Sequence, residues 1–65
     1  MAKFIIYRWH RDNGNGVISI NDNSNPEKII SIGQRNMKKQ GFETGITWQL
    51  HEGDFVSAMV AATKI

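Results

Sequence analysis

The sequence predicts a small α+β unit with elements in the order ββαβα. Three observations carry that reading. A β-branched and aromatic run near the N-terminus leads into two successive Asn-Gly pairs. A central amphipathic stretch has helix signals at both ends, and an alternating strand is followed by an alanine-rich segment. The rival is a mostly β arrangement with a final strand, since three isoleucines within residues 29–32 also suit strands.

Residues 3–11, Lys-Phe-Ile-Ile-Tyr-Arg-Trp-His-Arg, form the first strand. Phe4, Ile6, Arg8 and His10 share one face, and Ile5, Tyr7 and Trp9 share the other. Both faces are apolar near the start, which places the strand inside a sheet. Asp12-Asn13-Gly14-Asn15-Gly16 supplies residues that tolerate positive φ, and Val17-Ile18-Ser19-Ile20 makes a short second strand.

The polar loop from Asn21 ends in a helix start. Asn25 caps, Pro26 suits the first helical position, and Glu27 favours the positive end of the helix dipole. The helix runs to Gln40. Ile29, Ile30, Gly33, Met37 and Gln40 share one face, with Ile32 at its edge; Lys28, Ser31, Arg35, Lys38 and Lys39 share the other. Gly41 stands where a C-terminal glycine belongs. Phe42 to His51 reads as a strand, with Ile46, Trp48 and Leu50 alternating with Thr47, Gln49 and His51. Asp54 caps a last helix that is apolar nearly all round.

Size limits what this chain does. At 65 residues and 7.4 kDa, one compact domain over residues 1–65 is expected, with no volume for a dinucleotide fold or a barrel. A domain this small buries about 60% of the surface its unfolded chain exposes. There is no cysteine, so neither disulfides nor thiolate zinc sites add stability. No apolar run reaches the roughly 18 residues of a membrane span. No membrane partner and no cofactor are expected, and the cytoplasm is the expected location, without cysteines or an export signal.

Four kinds of chemistry are open to a chain of this composition. Nucleic-acid binding would use Arg8, Arg11, Arg35, Lys38 and Lys39 on phosphates, with Tyr7 or Trp9 stacking on bases. This alternative requires the Tyr7 and Trp9 face to be wet. Metal binding would need the first and last strands to run the same way, gathering His10, Asp12, His51, Glu52 and Asp54 at one edge. Hydrolysis lacks a cysteine nucleophile and a Gly-x-Ser-x-Gly elbow, and Gly14 and Gly16 lack the Gly-Lys-Ser/Thr of a phosphate loop.

Association is the fourth kind. The segment from Phe55 to Ala62 has one narrow polar strip, and little surface remains elsewhere to cover it. Phe55, Met59, Val60 and Ala62 are the expected interface residues. The sequence thus points to a non-enzymatic interaction protein: a homodimer, or an adaptor or inhibitor docked on a larger protein. By analogy, compact viral or plasmid regulators share this build.

Overall fold

The computed structural model describes residues 2–42 and 44–65. The elements are β1 (Ala2–Trp9), β2 (Gly14–Ile20), α1 (Pro26–Lys39), β3 (Ile46–Gly53) and α2 (Phe55–Ala62). The order is ββαβα, and the rival with a final strand is excluded. The sheet order is β2-β1-β3, with both pairs antiparallel. The apolar first strand is central, as its two apolar faces require.

The helices cover opposite faces of β1. Phe4 and Ile6 are buried in a cluster with Ala58 and Ala62 of α2, edged by Val17, Ala61 and Ile65. On the other face, Ile5 is fully buried between its cross-strand partners Ile18 and Leu50. Tyr7 and Trp48 continue that face, their ring centroids 4.9 Å apart. α1 lies over these rings at Gly33, where an added Cβ would stand 2.6 Å from the Trp48 ring. Only glycine lets the helix come so close. Complete burial of an isoleucine is worth about 1.5–3 kcal/mol, so Ile5 and Ile6 are a large share of a small domain's stability.

Local signals set the element ends. The Asn25 side chain accepts from the Glu27 amide at 3.0 Å, with Pro26 opening α1. At the other end, Gly41 has φ 89°, Phe42 N donates to Met37 O at 2.8 Å, and Gly41 N donates to Lys38 O at 3.0 Å. That is a Schellman closure, the reason for a glycine after Gln40. Asp54 caps α2 through the Ser57 amide at 2.7 Å.

Two details of the expected layout change. The hairpin is tighter: Trp9 pairs with Gly14, leaving His10–Asn13 as the connection. Asn13 takes the positive φ of 57°, held by Arg8 Nη2 donating to its side chain at 3.0 Å. Gly14 and Gly16 belong to β2, and Gly16 leaves room for the Tyr7 ring lying over it. β3 begins at Ile46, not Phe42. Phe42 packs edge-on against Trp9, centroids 4.3 Å apart, and the Trp9 indole donates to Thr44 O at 3.1 Å. These contacts pull Phe42 and Thr44 off the strand path.

Candidate functional site

α2 is eight residues long, and its two sides differ in side-chain size. Ala58 and Ala62 face β1 and are buried. Small residues there let the helix axis settle close to the sheet. The larger residues are thereby turned outward. Phe55 is 55% exposed, Val56 68%, Met59 50% and Val60 49%. Ala62 was expected among the outer residues, but at 1% exposure it belongs to the chain's own core. Val56 takes its place on the outer face. Phe55 also tilts over Phe4, centroids 6.1 Å apart, which anchors one edge of the patch.

The outer face of α2 is therefore an apolar ridge. A hollow lies on each side of it. One is lined by Ala2, Phe4, Gly53, Phe55 and Ser57, the other by Gly16, Val17, Phe55, Met59 and Thr63. Four side chains that are about half exposed leave roughly 3–6 kcal/mol of transfer free energy unrealised in a lone copy.

The seven residues of the nucleic-acid alternative are spread over both faces of β1, the hairpin connection and α1. The Tyr7 and Trp9 rings lie on the α1 side, half-buried against Trp48 and Phe42. Arg8 lies on the α2 side of β1 and bonds to Asn13, and Arg11 is exposed in the hairpin connection. Arg35, Lys38 and Lys39 are exposed on α1. Arg35 and Lys38, with Gln34, wall a cleft floored by Phe42, Ile46 and Trp48. Sequence periodicity did not bring these two cations to β3, because the loop after α1 decides where the helix crosses.

The condition for a metal site fails. β1 and β3 are antiparallel, with His51 opposite Phe4. His10 is six residues from Phe4 along β1, or about 20 Å at strand spacing. His10 Nε2 lies 2.9 Å from Thr47 Oγ1. Among the described residues, no group of three or more His, Cys, Asp or Glu gathers to hold an ion.

His51 Nε2 is 2.9 Å from Ser57 Oγ, a spacing that resembles a nucleophile and its base. The Ser57 hydroxyl, however, donates to Asp54 O at 3.1 Å. When its proton is used there, Ser57 Oγ accepts from His51 and the imidazole is the donor. A general base must accept that proton. The trio instead closes the first turn of α2.

No family model, curated protein or solved structure matches this chain. Among the described residues, no helix is long and apolar enough to cross a membrane.

Proposed function

We propose that this chain is a small non-enzymatic interaction protein that docks through the outer face of α2. The observation that carries the reading is the run of Phe55, Val56, Met59 and Val60, each about half exposed or more on one two-turn helix. A contiguous apolar ridge of this kind is a docking surface or an aggregation liability.

The shape favours a second copy as the occupant. A two-fold axis across α2 would set each ridge beside a hollow of the other copy, which is the self-complementarity an isologous interface needs. A stable interface covers roughly 800 Å² per partner. The whole chain exposes 4545 Å², so the hollows must be covered as well as the ridge. Association also costs at least about 4 kcal/mol in lost rigid-body freedom. Two ridges supply about 6–12 kcal/mol between them, which set against this cost gives a dimer that is micromolar at best and weaker unless the hollows contribute.

Sedimentation of the wild type and of Val60→Asp tests the reading. A concentration-dependent dimer that Val60→Asp dissolves supports it. A monomer whose Val60→Asp variant is unchanged in stability and binding counts against it.

A further inference from the structure

A second surface is independent of α2. Among the described residues, β3 pairs with β1 alone, and no strand lies along its other edge. Native edges are normally guarded by lysine, proline or a bulge. Ile46–Leu50 has no lysine or proline, and pairing with β1 runs without a break from Ala2↔Gly53 to Trp9↔Ile46.

The α1-side face of this edge is apolar from Ile46 to Leu50, and Glu52 follows on it opposite Lys3, so the acidic side chain of a ligand belongs at the Ile46–Trp48 end. Ile46, Trp48 and Leu50 succeed one another on this face, and Leu50 is 40% exposed. Beside them, Gln34, Arg35 and Lys38 of α1 stand as a polar, cationic wall, enclosing an open cleft of about 410 Å³. An unpaired strand edge thus borders an apolar floor and a basic wall. The α1 side of β2 carries Gly14, Gly16, Ile18 and Ile20, so that edge has no charged residue of its own on this face.

We propose that the groove between β3 and α1 binds an extended acidic peptide, which adds to the sheet as a fourth strand. Its backbone pairs with the outward N–H and C=O groups of Ile46–Gly53. Alternate side chains enter the groove, an apolar one over Trp48 and a carboxylate against Arg35 and Lys38. A single-stranded nucleic acid also fits basic and aromatic residues, but two observations favour the peptide. The open backbone edge pairs with amides and offers a phosphodiester chain no matching register. Tyr7 and Gly33 lie against the Trp48 ring, which narrows the surface a base could stack on.

The test uses a capped eight-residue peptide alternating valine and aspartate, followed by backbone amide shifts and Trp fluorescence. Expected shifts lie in residues 46–53 and the second half of α1. Reversing both charges, Arg35→Glu with Lys38→Glu, weakens binding about tenfold or more. Methylating alternate peptide nitrogens on the pairing edge abolishes it. Val56→Asp, on the opposite helix, leaves it unchanged, which separates this site from the α2 surface. Equal binding by the N-methylated peptide, or shifts that map to α2, overturn the proposal. So does binding of a mixed-sequence DNA strand in the groove while the peptide does not bind. Both α1 charges are exposed, so the double variant is expected to fold, and far-ultraviolet circular dichroism checks this directly.

Discussion

Replacing Gly33 with alanine sets two known effects against each other. Alanine in a helix interior is favoured over glycine by about 1 kcal/mol. At this position the new methyl would stand 2.6 Å from Trp48 Cη2 and 2.9 Å from Cζ3. Carbon atoms prefer about 3.5–4.0 Å, so helix and ring must part by about 1 Å. The ring cannot yield inward, because Tyr7 lies against it. Overpacking of this kind costs about 1–3 kcal/mol. The net expectation for Gly33→Ala is a loss of about 1 kcal/mol, or a Tm lower by about 4–8 °C for a domain of this size. Trp48→Phe removes the two clashing atoms. In that background the same alanine should stabilise by about 1 kcal/mol, read from urea melts followed by circular dichroism. Equal stabilisation in both backgrounds would refute the placement of α1 over Trp48.

Further outcomes follow from the caps and the core. Asp54→Ala removes the bond to the Ser57 amide and should cost about 1 kcal/mol, with faster amide exchange in the first turn of α2. Ile6→Ala, at 1% exposure, should cost about 2–5 kcal/mol out of a total near 3–10 kcal/mol for this length. Ile32→Ala, at 47% exposure, should cost well under half as much in the same melt.

The element order was legible in the sequence because its punctuation is local. Asn25-Pro26-Glu27, Gly41 and Asp54 mark helix ends by hydrogen bonds reaching only a few residues. The sides taken by the helices were not legible. Phe4, Ile5, Ile6 and Tyr7 make both faces of β1 apolar, and alternation cannot say which helix takes which face. The rotation of α2 was hidden for a related reason. A helical wheel places Phe55, Ala58, Met59 and Ala62 in one stripe. Close approach to β1 selects the alanines for the inside and leaves the larger residues out. Gly14 and Gly16 suggested a wider turn, because a glycine that makes room for an aromatic ring has the same letter as one that turns the chain. The groove at β3 had no sequence signal, since Arg35 and Trp48 lie on different elements and meet only in the tertiary packing.

The claim that α2 is a docking surface is tested most directly by sedimentation of the wild type and Val56→Asp from about 1 to 300 µM, the range set by micromolar association. Val56 is 68% exposed in the first turn of α2, where a carboxylate suits the helix dipole. The variant should therefore fold as well as the wild type. The account predicts that the wild-type mass rises from 7.4 kDa toward twice that value while the variant stays at 7.4 kDa. A wild type that remains at 7.4 kDa throughout, or a variant that dimerises equally well, would contradict it.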